Sequence, residues 1–79
     1  MIVTFKTAPA YFEQEADGRK NNTVRKVDDK DDRFKWLKAN LVDEIQIISS
    51  GNLKYNFRRK ITDVTFWEDL VIITWRHEE

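Results

Sequence analysis

The sequence predicts a small α+β fold: a β-barrel of about five strands with one main helix after the first strand. Three observations carry this. Short apolar–polar alternations recur along the chain, the pattern of strands with one buried face. A helix-start signal, Thr7 ahead of Ala8-Pro9-Ala10, follows the first alternation directly. No repeat or low-complexity linker divides the 79 residues, so 1–79 reads as one domain. Strand-rich chains this short tend to curl into barrels, because closure hides their edges.

Ile2-Val3-Thr4-Phe5-Lys6 alternates and is β-rich, so it reads as the first strand. The helix is expected to run from the Thr7 cap to about Asp17, with Ala8, Tyr11, Phe12 and Ala16 as its inward stripe. Gly18 is expected to end it in a left-handed conformation. Asn22 to Val27 is the second strand, and Asp28-Asp29-Lys30-Asp31-Asp32 is a hydrated loop.

Phe34, Trp36 and Leu37 among lysines predict a short turn or helix reaching Ala39-Asn40. Val42 to Ser49 follows as a strand with Ile45 and Ile47 on one face, then a turn at Ser50-Gly51-Asn52. Leu53, Tyr55 and Phe57 alternate with Lys54, Asn56 and Arg58, which predicts an amphipathic strand with that apolar face inward. The alternation slips between Ile61 and Val64-Phe66, so a bulge or bend is expected near Thr62-Asp63. Trp67-Glu68-Asp69 is a tight connection into the apolar strand Leu70 to Trp75, and Arg76-His77-Glu78-Glu79 is a polar tail.

Composition limits what this chain can be. A domain of this length buries roughly 60–65% of the surface its unfolded chain exposes, so its core is thin. Without cysteine it has neither a disulfide framework nor a thiolate metal site. Its ten aromatic residues supply large buried area per residue instead. Fourteen Lys/Arg cancel fourteen Asp/Glu, which excludes the high-pI signature of a general nucleic-acid binder. No apolar run approaches the ~20 residues that cross a bilayer, and Met1–Lys6 lacks the pattern of a signal peptide, so a soluble cytoplasmic protein with no membrane partner is expected.

Local charge is more informative. The segment "GRKNNTVRK" from Gly18 to Lys26 places Arg19, Lys20, Arg25 and Lys26 around a helix-to-strand junction. Strand side chains two apart share a face, so Thr23 and Arg25 point together, opposite Val24. With Lys20 they offer cations and a hydroxyl to a phosphate or a base edge. The same residues also fit a solvated cluster in which cations complement a helix C-terminus. Arg58 and Lys60 share a strand face with Lys54 and Asn56, which reads either as a track for a nucleic-acid backbone or as a charged face that keeps the sheet soluble.

No metal or cofactor is expected. The four aspartates from Asp28 to Asp32 lack the glycine and distal glutamate of a calcium loop, and His77 is the only histidine. Among the aromatics, Trp75 and Phe57 fit the inward pattern. Trp36 and Trp67 lie in connections, where one of them can flank a cleft or mark a protein-binding patch.

In the order strand, helix, "GRKNNTVR", strand, the chain resembles the ASCH family. The signature of that family is a helix ending in Gly-x-Lys, then a Thr or Glu, then Arg on the next strand; here these are Gly18, Lys20, Thr23 and Arg25. Pro9-Ala10-Tyr11-Phe12-Glu13 is similar to the helix start of small, phage-associated members, and Asp32-Arg33-Phe34 looks like their "D-R-x-F" loop. The likeness covers about the first 35 residues. Lys38-Ala39-Asn40 departs from the usual Gly-Asp, and the long helical insertion of larger members is missing.

The resemblance implies a PUA-like β-barrel with a cleft between helix and barrel for RNA or a modified nucleotide. Arg19, Lys20, Asn22, Thr23, Arg25 and Arg58 are then the expected ligand-binding residues. It also implies an alternative, an amidohydrolase acting on acylated cytidine, in which Lys20 and Thr23 match the catalytic pair. The glutamate that completes that set has no counterpart by position; Glu68 is the nearest substitute. A third alternative is a phage-type protein that binds a host protein.

Overall fold

A computed structural model describes residues 1–77. Five strands and two helices follow in the order β1 (Ile2–Thr7), α1 (Pro9–Asp17), β2 (Asn22–Lys26), α2 (Asp32–Lys38), β3 (Glu44–Ser49), β4 (Asn56–Trp67) and β5 (Leu70–Trp75). The strands form one curled, half-closed sheet in the order β1-β3-β4-β5-β2. β1 runs parallel to β3, and every other neighbouring pair is antiparallel. No helix among the described residues is long and apolar enough to cross a membrane.

The predicted slip in β4 is where that strand changes partner. Its first half pairs with β3, from Asn56 to Lys60, and its second half with β5, with a register shift between Ile61 and Asp63. Phe57 and Ile61 are partly buried before the shift, and Val64 and Phe66 after it, so the extra residue resets which positions face inward. A two-residue connection, Glu68-Asp69, then joins Trp67 to its partner Leu70, with Glu68 at φ 54°.

Alternation supplies the core. Val3 and Phe5 of β1, Ile45 and Ile47 of β3, and Val71, Ile73 and Trp75 of β5 are buried together with Phe34, Leu37 and Val42. Each fully buried aliphatic side chain is worth roughly 1.5–3 kcal/mol relative to exposure. α2 closes one end. Asp31 caps it by accepting the Arg33 N–H, and Phe34 packs on Phe5 with ring centroids 5.8 Å apart.

Four expectations are corrected. Thr7 is not the cap of α1: it is the buried last residue of β1, and the cap is Ala8, whose side chain makes no capping bond. The expected inward stripe is half right. Phe12 and Ala16 are partly buried, but Ala8 and Tyr11 are exposed, and the one buried residue of α1 is Glu15. Leu53 and Tyr55 do not point inward, because the chain is still in a turn there and β4 begins only at Asn56. Trp36 is not in an exposed connection but in α2, packed against the core. Of the expected tail, Glu78 and Glu79 lie outside the described residues, whereas His77 packs against Gly18.

Candidate functional site

The junction between α1 and β2 is built by a helix ending. Gly18 takes φ 93°, which costs a residue without a Cβ little, and turns the chain back toward the sheet. The Lys20 N–H then donates to the Gln14 carbonyl at 3.0 Å, and Asn21 Nδ2 donates to the Gly18 carbonyl at 3.1 Å. Arg59 reaches across from β4 to donate Nη2 to the Ala16 carbonyl. These bonds satisfy carbonyls that a helix end leaves open, and they fix where Lys20 starts.

From that start the Lys20 ammonium donates to Glu15 Oε1 and to the Asn22 carbonyl, both at 3.1 Å. It also stands 5.6 Å from the Tyr11 ring centroid. Glu15 is only 1% exposed, so its charge is taken out of water and depends on this partner. Its second oxygen, Oε2, accepts no hydrogen bond among the described residues.

Thr23 and Arg25 share the inward face of β2, opposite Ile73 and Val71 of β5. The Thr23 hydroxyl accepts from Arg25 Nε at 2.9 Å, which leaves its own proton available to donate. Arg25 Nη1 donates to the Lys6 carbonyl at 2.7 Å, and the guanidinium lies 5.0 Å from the Phe5 ring centroid. Burial pulls the Arg25 pKa below its ordinary value; Glu15 opposes that shift and Arg33 adds to it. Arg33, rising from α2, donates to the Thr4 carbonyl and sits 4.2 Å from the same ring. Two guanidiniums thus cover the edge of β1 that no strand pairs.

Lys20, Thr23 and Arg25 line one cavity of 390 Å³, together with Glu15, Tyr11 and Lys6. Tyr11 and Val24, 56% and 51% exposed, form its apolar rim. A hollow of this size matches the lower end of small-molecule sites, and its mix of cations, hydroxyl and open ring suits a planar, partly anionic ligand.

Three expected ligand residues are not brought there. Arg19 is exposed and closes onto Asp17, whose carboxyl it holds below the usual carboxylate range by its side-chain and backbone hydrogen bonds. Asn22 presents its carbonyl to Lys20, but its side chain lies on the other face of β2. Arg58 sits on the exposed face of β4, opposite Gln46, and the basic ladder there lacks Lys54, which falls in the preceding turn. Glu68 belongs to a different hollow, with Asp28, Asp29 and Lys35. Sequence reasoning missed Glu15 and the outward position of Tyr11. Glu15 lies five residues before Lys20, a spacing across a helix end that the sequence alone gives no reason to pair.

No protein-family model matches the chain, and no curated protein matches it.

Proposed function

We propose that this chain is an ASCH-type binding module, with a PUA-like barrel, that takes RNA or a nucleotide-like ligand in the hollow between α1 and β2. The observation that supports this most is that Lys20, Thr23 and Arg25 line the same cavity, although they arise from a helix end and a strand. In that reading Tyr11 stacks on a base, the Thr23 hydroxyl donates to it, and Lys6 with Arg25 faces the phosphate side. The test is a titration of single-stranded oligoribonucleotides and nucleosides followed by amide chemical shifts. Shifts at Tyr11, Lys20, Thr23 and Arg25 are expected in the wild type and are lost in Lys20→Met. An unresponsive junction overturns the proposal.

One observation favours the hydrolase reading: Glu15 places a carboxylate 3.1 Å from Lys20, where Glu68 cannot reach. Its difficulty is the Lys20 ammonium, which spends two of its N–H groups on Glu15 and Asn22, while the Thr23 hydroxyl is held by Arg25 rather than by a base. Release of acetate from acetylated cytidine that disappears in Thr23→Val is the result this reading requires.

A further inference from the structure

The unpartnered oxygen of Glu15 asks what it is for. A buried carboxylate is costly unless both oxygens find donors. Here Oε1 has Lys20, while Oε2 has no donor among the described residues; Arg25 bonds Thr23 and Lys6 through Nε and Nη1, and its Nη2 makes no bond to Glu15. This oxygen belongs to a side chain that lines the hollow, beside an ammonium and a hydroxyl. A phosphate does not suit such a neighbour, because Glu15 would repel it. A group with N–H protons does.

We infer that Glu15 reads the exocyclic amino group of a nucleobase: its Oε2 accepts one amino proton while Lys20 or Thr23 donates to the adjacent ring nitrogen or carbonyl. This rests on the reading of the hollow as a nucleotide site and adds which chemistry the ligand presents to its floor. Oε2 is closed off from solvent, so a donor reaches it only as the partly exposed Lys20 side chain gives way, and that donor must project beyond its ring. An exocyclic amine does so; a ring N–H between two carbonyls does not. Carboxylate acceptance from an amino group is also how acidic side chains read base edges elsewhere. The phosphate is left to Lys6 and Arg25, which line the same hollow.

The experiment compares cytidine, adenosine and guanosine, each with the riboside that lacks its exocyclic amino group, namely the 2-pyrimidinone riboside, purine riboside and inosine. Affinities are measured on the wild-type protein by amide shifts at Glu15, Lys20 and Thr23, with ribose 5-phosphate as a further probe. At least one amino-bearing nucleoside is expected to bind about tenfold or more tightly than its counterpart, the size of a hydrogen bond to a charged group. Glu15→Gln is expected to erase the difference: the amide oxygen turns to Lys20, and an NH2 then occupies the place of Oε2. The removed amino group adds no bulk, so the wild-type comparison stands even where the variant does not fold. Equal binding within every pair, or ribose 5-phosphate shifting Glu15 and Lys20 as the nucleosides do, overturns the role of Glu15 and leaves the hollow a ligand site. If neither nucleosides nor oligoribonucleotides shift the junction, the binding module itself fails and this inference goes with it.

Discussion

Arg25 and Lys6 are nineteen residues apart, yet Nη1 of Arg25 donates to the Lys6 carbonyl at 2.7 Å and so joins β2 to β1, strands at opposite ends of the sheet order. The same guanidinium bonds Thr23 through Nε and faces the Phe5 ring. Arg25→Lys keeps a charge but not the planar fork that makes these contacts at once. We expect it to lower stability by about 1.5–3 kcal/mol, the range for hydrogen bonds to a charged group in a half-buried setting. A urea-midpoint shift no larger than that of an ordinary surface substitution would show that the seam does not depend on the fork.

Glu15 and Lys20 form the second coupled pair. Removing the cation alone, in Lys20→Met, leaves a buried carboxylate without its counterion and should cost about 2–3 kcal/mol, toward the low side because Lys20 is a third exposed. Glu15→Leu combined with Lys20→Met should recover most of that loss. Denaturation of the wild type, both single variants and the double variant decides it: additive losses in the double variant would mean that the two side chains are not energetically linked.

Gly18 carries two constraints. Its φ of 93° disfavours any L side chain, and a Cβ placed there would lie 2.9 Å from Cγ of His77. Gly18→Ala is therefore expected to lower stability by about 1–2 kcal/mol through backbone strain, with a further loss from displacing His77. In a His77→Ala background only the strain remains. Thermal midpoints of the four combinations separate the two contributions.

Acid sensitivity should have a component at Asp31. Arg33 donates Nε to both carboxylate oxygens at 3.0 Å, and these bonds, reinforced by the Arg33 backbone N–H, hold the carboxyl below the ordinary value of 3.8. A carboxyl depressed in the folded state stabilises it above 3.8, and that contribution fades as pH falls through the lower folded value. Asp31→Asn retains a capping side chain but cannot titrate. Its stability deficit relative to wild type should be full well above the ordinary value of 3.8 and should shrink steadily as pH falls below it. Equal stability of the two proteins at every pH would assign Asp31 to capping alone, since Asn keeps the cap.

Tyr11 should separate binding from folding. Its ring is more than half exposed and contributes little to the core, so Tyr11→Ser should leave the urea midpoint nearly unchanged. If the ring stacks on a base, the same change lowers oligoribonucleotide affinity about tenfold, within the usual range for base–aromatic stacking. Unchanged affinity would remove Tyr11 from the ligand reading.

The elements most legible in the sequence were those whose facing alone determines them. The five strands, the Gly18 ending of α1 and the slip near Thr62-Asp63 all follow from alternation or from the backbone freedom of glycine. Leu53 and Tyr55 continue the same alternation yet stay in a turn, because a period of two does not say where pairing begins. At the candidate site, Thr23 and Arg25 could be placed on one face from their spacing. Glu15 could not be placed beside Lys20, because that pairing depends on how a helix ending folds back, which is tertiary geometry. Arg19 and Arg58 looked like ligand residues from charge alone, and local partners or the opposite sheet face account for them.

The corner in β4 acts at a distance. The hollow has Lys6 and Thr7 of β1 on one wall and Thr23 and Arg25 of β2 on the other, the first and last strands of five. Between them the middle strand passes from pairing with β3 to pairing with β5, with a register shift between Ile61 and Asp63, the kind of irregularity that bends a strand and increases its twist. Deleting Thr62 would leave Ile61, Val64 and Phe66 on one continuous inward side and so preserve burial, and is expected to flatten the sheet and move the two walls apart. Two exposed residues, Thr62 and Asp63, would then shape a mouth that neither of them lines.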